Sequence, residues 1–201
     1  QDDISLESGL EDPPKLPVTQ SDLDEPWLQA ALDPDPRVTL IVHDENHARR
    51  ESPFEADLTR RLLDSVPISS PNRSGRPQSV SAGVVVPFRL QRRRLQHDLG
   101  KDVQVDTVEK FQGGERDVIV LSMTAGNQGY VNTLSEFLLD PNRFNVGASR
   151  MRQKLIIIAS KAMFRAGSTD ATKYAEQKSW KLVHEQLVRG NEPDAQATMD
   201  G

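Results

Sequence analysis

Four short stretches of this 201-residue chain hold residue types that could do chemistry. Thr39-Leu40-Ile41-Val42 runs into His43-Asp44-Glu45-Asn46-His47, an apolar strand ending on paired acids, the form that holds magnesium beside a nucleotide. That form works with a phosphate-cradling loop, and no G-x-x-x-x-G-K-[ST] string occurs in the chain. His43 also intrudes between strand and acids, so Asp44 and Glu45 read as a solvated strand end. His43 and His47 are spaced like a metal pair, yet no third ligand accompanies them. Gly113 and Gly114 would let backbone approach a phosphate closely, since no Cβ intervenes. A bare Gly-Gly is more often a turn; here Gln112 and Glu115 flank it. Arg92-Arg93-Arg94 could meet nucleic-acid phosphates, but three successive helix positions span about 200°. They cannot share one ligand, so a solvated helix face is the favoured reading. Asn72-Arg73-Ser74 has the form of a glycosylation sequon, which without a secretion signal reads as chance.

The elements that must hold these residues follow from apolar spacing and from Pro and Gly. Residues 1–36 are proline-rich and carry ten acids against one base. They read as a linker or arm, with at most a short helix near Trp27–Leu32. The other 165 residues balance to +4 within an overall −5, compatible with a nucleic-acid-binding body but weak as a sign of one. Val38–Val42 reads as a buried strand. Phe54, Leu58, Leu62 and Val66, four apart after Ser52-Pro53, read as one apolar helical stripe. Residues 67–79 read as a loop, Gly83–Val86 as a strand, and 88–99 as a basic helix stopped by Gly100. Val103–Val105 is a short strand and Asp117–Ser122 a buried one. An insertion over 125–140 has a helical segment near Leu134–Leu139. A helix over 142–151, a strand over Lys154–Ser160, a closing helix over 171–189 and a polar tail from 190 complete the reading. Alternating strands and helices predict an α/β fold, a mainly parallel sheet with helices on both faces, over residues 37–189. Ligands of such folds gather at the carboxyl ends of strands, which directs attention to residues just after them.

The chain has no cysteine, which excludes a disulfide framework and a thiolate metal site. Its longest apolar run, Leu155-Ile156-Ile157-Ile158-Ala159, is far short of a membrane span. With no signal-peptide pattern, an intracellular protein without membrane association is expected. Starting at Gln1 and too short for a two-domain motor, the chain reads as part of something longer.

Three segments, in order, resemble the motifs of superfamily 1 helicases. Val105-Asp106-Thr107-Val108-Glu109-Lys110-Phe111-Gln112-Gly113-Gly114-Glu115-Arg116-Asp117, followed by an apolar strand, is similar to motif V. The nearest branch contains the nonsense-mediated-decay and Okazaki-flap helicases. Asp140-Pro141-Asn142-Arg143-Phe144-Asn145-Val146-Gly147-Ala148-Ser149-Arg150 resembles motif VI, and Val84-Val85-Val86-Pro87-Phe88-Arg89-Leu90-Gln91 resembles motif IV. The resemblance covers about residues 37–165 and implies the second, C-terminal RecA-like domain, a three-layer fold of the P-loop NTPase type.

In that family ATP lies between two RecA-like domains, and a guanidinium from the facing domain stabilises charge at the γ-phosphate. Such a finger is worth roughly 10³–10⁵ in rate in other NTPases. The resemblance assigns that role to Arg150, with Arg143 as a second candidate for which a structural ion pair is an equal reading. It places Gln112, Gly113, Gly114 and Glu115 at the nucleotide, and Pro87, Phe88 and Thr107 on a single strand of DNA or RNA. A threonine hydroxyl can donate to a phosphate without reading a base; for Thr107 a strand-end cap is the equal alternative. ATP and Mg2+ would be held mainly by the amino-terminal RecA-like domain, the implied intramolecular partner.

Two departures stand out. Val86 replaces the threonine usual before Pro-aromatic in motif IV and cannot hydrogen-bond a phosphate. Pro53 stands where some relatives place an arginine ahead of Glu-Ala, leaving Arg49 or Arg50 to substitute. Two rivals therefore accompany the helicase reading: a nucleic-acid- or partner-binding module that has lost ATPase function, and a regulatory NTPase that does not unwind.

Overall fold

The computed structural model describes residues 25–33, 35–68, 80–111 and 114–165. The sequon, most of the 67–79 loop, Gln112, Gly113, the closing helix over 171–189 and the tail from 190 lie outside the described residues.

Five strands, β1 (Val38–His43), β2 (Ala82–Val86), β3 (Gln104–Thr107), β4 (Arg116–Ser122) and β5 (Met151–Ser160), make one sheet in the order β1-β5-β4-β2-β3. Every neighbouring pair is parallel. The central strands are near-continuous apolar runs, as strands covered on both faces must be. Their side chains alternate between two cores. Val84, Val86, Val118, Val120, Ile156 and Ile158 face one layer; Val85, Ile119, Leu121, Leu155, Ile157 and Ala159 face the other. The first layer holds α1 (Pro26–Leu32), α2 (Pro53–Asp64) and α3 (Arg89–Leu99). Against the second lie α4 (Gln128–Thr133), α5 (Ser135–Leu138), α6 (Pro141–Arg150) and α7 (Lys161–Arg165). This is the three-layer α/β arrangement expected, with the sheet parallel throughout.

Local signals set the helix boundaries. Pro53 and Pro141 occupy first turns, where a missing N–H leaves no bond unmade. Ser52 and Asp140 accept from Glu55 N and Asn142 N at 3.1 and 2.9 Å. Gly100 ends α3 at φ 72°, a left-handed value that costs glycine least. One expectation for α2 fails: Phe54 is 45% exposed, although Leu58, Leu62 and Val66 are buried. Four-residue spacing drifts about 40° per step around a 3.6-residue helix. Phe54 thus falls off the edge of the stripe, and Glu55 turns inward in its place, fully buried.

Leu28, Ala31 and Leu32 of α1 are buried, and Arg61 of α2 lies 5.1 Å over the Trp27 ring while pairing with Glu25. Next to this helix, Lys154 of β5 is fully buried and its Nζ donates to the carbonyls of Asp33 and Pro36, each at 2.5 Å. Lys154 thus ties the backbone at Asp33 and Pro36 to β5. Burial pulls the Lys154 ammonium down to about 8, against opposing attraction from Asp33 and Asp35. Folded and unfolded values then differ between pH 8 and the usual 10.5. In that window the unfolded chain binds more protons, so stability rises with pH. Wild type is expected to gain about 3 kcal/mol over Lys154→Met between pH 7 and 10.5, measured by urea unfolding at each pH. Parallel pH curves for the two proteins would contradict it.

Candidate functional site

The proposed site residues separate onto two opposite edges of the sheet. Arg116 and Met151 are the first residues of β4 and β5 and are register partners. Glu115 and Arg150, one position earlier on each chain segment, therefore emerge together on the amino edge. Thr107 and Val86 are the last residues of β3 and β2 and are likewise partners. Thr107, Pro87 and Phe88 therefore share the carboxyl edge. The second group lies just after strands, where ligand residues of such folds are expected, and the first lies just before them. The cause is the short connection over 108–115, which must cross the height of the sheet to join two parallel strands. Phe111 anchors that crossing: it is buried across β2 where Gly83 leaves room, and a Cβ at Gly83 would lie 2.6 Å from its ring.

On the amino edge, Arg150 closes α6, and among the described residues its guanidinium makes no hydrogen bond or ion pair. Its Nε is buried and unpartnered. Glu115 is exposed and accepts from Arg152 Nε at 3.0 Å. Gly114 adopts φ 78°, a conformation that costs an L side chain strain. Arg152, outside the segments that resemble helicase motifs, also lies 3.9 Å from Asp117. Its backbone carbonyl accepts from Arg37 at 2.6 Å. The signal for it was present as a second arginine two residues beyond Arg150, at the mouth of a strand.

Arg143 does not converge with Arg150. Seven residues at 1.5 Å rise place them about 10 Å apart along α6, and Arg143 sits at the end nearer the carboxyl edge. It is buried, stacks 3.7 Å over the Phe137 ring, donates to the Phe137 carbonyl, and reaches Glu109 Oε1 at 3.3 Å. Burial alone would raise the Glu109 carboxyl. Hydrogen bonds from its own backbone and from Thr107, with the Arg143 charge, outweigh that and hold it below the ordinary carboxylate range. Thr107 itself is buried, and its carbonyl caps the turn by accepting from Lys110 N and Phe111 N at 2.9 and 2.8 Å. Arg143, Glu109 and Thr107 thus form one brace between α6 and the end of β3.

Pro87 is buried at the carboxyl edge, and Phe88 packs 6.1 Å from Tyr130 and 5.7 Å from Phe137. Beside them opens a pocket of about 430 Å3. Arg50 lines it and donates to the Tyr130 hydroxyl at 3.2 Å. Arg49 and Arg50 follow β1 at this same edge, away from Arg150. Asp44 is paired with Lys161 at 2.8 Å, whose hydrogen bond lowers its carboxyl below the ordinary value. Glu45 caps the strand end through His47 N and Ala48 N at 2.7 and 3.0 Å.

The buried centre under this edge was not foreseen. Ser52-Pro53-Phe54-Glu55 has the form of a capping box, in which Glu55 would reach back to Ser52 N. Instead Gln91 of α3 takes Ser52 N at 2.8 Å and donates to Ser52 O at 3.2 Å. The released Glu55 carboxylate meets His43 Nε2 at 3.0 Å, Ser122 Oγ at 2.6 Å and Thr124 N at 2.8 Å. Thr124 is held at φ 68°, an outlier for a β-branched residue that persists only where neighbours enforce it.

Comparison with known proteins identifies the family. A family model for an AAA domain, AAA_12, matches residues 21–162. The mouse DNA replication ATP-dependent helicase/nuclease DNA2 is 32% identical over 143 residues, 68% of this chain and 13% of that protein. The Saccharomyces cerevisiae DNA polymerase alpha-associated DNA helicase A is 35% identical over 106 residues, 50% of this chain and 14% of that protein. ATP-dependent helicase NAM7 of the same yeast is 35% identical over 88 residues, 39% of this chain and 9% of that protein. The chain is homologous to ATP-dependent helicases but spans only a small fraction of their length. Among the described residues no helix is long and apolar enough to cross a membrane. With the model match, the five-strand parallel sheet and these relatives together, the chain belongs to the AAA_12 family, the C-terminal RecA-like part of superfamily 1 helicases, on the branch of DNA2 and NAM7.

Proposed function

We propose that this chain is the second motor domain of an ATP-dependent DNA or RNA helicase, presenting nucleotide chemistry on the amino edge of its sheet and single-strand contacts on the carboxyl edge. The observation that supports this best is Arg150, a guanidinium without a partner among the described residues, beside Glu115 at the mouths of β4 and β5. A cation held ready at low cost is what charge build-up on a transferring phosphoryl group requires. Glu115, with Gln112, Gly113 and Gly114 along the same connection, would contact the nucleotide. On this reading Arg152 is held on Glu115 and supplies a second positive charge at that edge. Arg143 is a positioning residue, and the edge built on Pro87, Phe88 and Thr107 serves the single strand. ATP and Mg2+ belong mainly to the amino-terminal RecA-like domain.

The isolated chain is expected to show no ATP turnover above background in a phosphate-release assay. Turnover in pure chain that Asp44→Asn abolished would revive a self-contained ATPase and overturn the proposal.

A further inference from the structure

We infer that the pocket at the carboxyl edge takes one unstacked base of a single-stranded nucleic acid, with the phosphates on either side of it gripped at the rim by Arg50 and Arg89. The inference rests on the nucleic-acid reading above and adds what the edge recognises: a base as well as a backbone. Phe88, Leu90, Leu134 and Phe137 form the walls, and the volume of about 430 Å3 lies within the roughly 300–1,000 Å3 of small-molecule sites.

Three observations select this occupant. First, the walls are apolar and partly aromatic while the rim is cationic, and among the described residues no acidic side chain lines the pocket. A flat π-face flanked by two negative charges is the ligand that complements both parts. Second, Arg89 makes no hydrogen bond or ion pair among the described residues. Arg50 has only the neutral Tyr130 hydroxyl, so neither guanidinium is already neutralised. Third, Leu90 remains 45% exposed in the first turn of α3, an apolar surface that a stacked base would cover.

The construction of the pocket ties it to the rest of the edge. Phe88 follows β2 directly. Phe137, from the segment after β4, is fixed from below by the Arg143 guanidinium 3.7 Å from its ring. Tyr130 packs on Phe88 and receives Arg50. Leucine and phenylalanine walls offer a base edge no donors or acceptors, so binding at this pocket is expected to be indifferent to base identity.

The test is fluorescence anisotropy with this chain at low salt. The probes are a labelled oligothymidylate and a sugar-phosphate strand of equal length without bases. Wild type is expected to bind the base-bearing strand about five-fold or more tightly. Leu90→Ser and Leu134→Ser should each erase that preference while leaving affinity for the baseless strand unchanged. Arg89→Ala should weaken both strands alike. Because Leu90 is exposed, its variant tests the pocket even if Leu134→Ser fails to fold. Equal affinity for the two strands in wild type overturns the pocket and leaves single-strand binding intact. A preference that Leu90→Ser does not reduce also overturns it. Binding of neither strand overturns both the pocket and the nucleic-acid reading.

Discussion

Glu55→Ala is expected to destabilise the domain by about 3–5 kcal/mol, the cost of stranding several buried hydrogen-bonding groups at roughly 1–3 kcal/mol each. A domain of this size holds roughly 5–15 kcal/mol in all, so the variant should be marginally folded. The size of the effect follows from what Glu55 touches. One carboxylate serves His43 at the end of β1, Ser122 at the end of β4 and the backbone N–H of Thr124. All are buried. Thr124 adds a second cost, since its left-handed backbone is held by the bond that disappears. Glu55→Gln keeps the shape and one acceptor oxygen but turns an NH2 toward one of the donors. About 1–3 kcal/mol is expected there. Urea midpoints at constant slope read both values. In the Glu55→Ala background, Thr124→Gly should recover part of the loss, because glycine needs no enforcement at that φ. A Glu55→Ala midpoint within error of wild type would show that the network does not hold the edge together.

Arg150→Ala, in the protein joined to its amino-terminal half, is expected to lower ATP turnover by about 10³-fold or more. Its effect on folding should be small, because among the described residues the guanidinium has no partner to abandon. This distinguishes it from Arg143→Ala, which would remove a stacked cation, a carbonyl bond and the Glu109 contact. That change should reduce stability as well as activity. Arg150→Lys keeps the charge but loses the planar fork, and should recover only part of the rate. Initial rates of phosphate release at saturating ATP, with the urea midpoint beside each, separate the three. Turnover in Arg150→Ala within two-fold of wild type would place the finger elsewhere, with Arg152 the next guanidinium on that edge.

Strands and helix starts were legible because their signals are local. Val118–Leu121 and Leu155–Ile158 are apolar without interruption, Pro53 and Pro141 mark first turns, and Gly100 ends α3. The residues that resemble motifs V and VI were legible as types. Which edge they occupy was not, because that depends on how far the 108–115 connection travels between β3 and β4, a property of topology. The inward turn of Glu55 was hidden for a related reason. A capping-box spacing predicts a local partner at Ser52, but Gln91, 39 residues away, takes that partner. Arg143 was left open between two readings, and its position over Phe137 favours the brace. Phe54 shows how an approximate four-residue period runs out: three of its four positions face the core, and the fourth packs on the His43 ring 5.0 Å away.

If two ligands use two opposite edges, a crossed pair of variants separates them most directly. In the protein joined to its amino-terminal half, ATP turnover and affinity for a single-stranded oligonucleotide would be measured for Arg150→Ala and for Arg89→Ala. Arg150→Ala is expected to abolish turnover while leaving oligonucleotide affinity near wild type. Arg89→Ala is expected to weaken the oligonucleotide and leave turnover at saturating oligonucleotide intact. If instead Arg150→Ala left turnover unchanged, or both variants lowered both quantities in proportion, the two-edge account would be wrong.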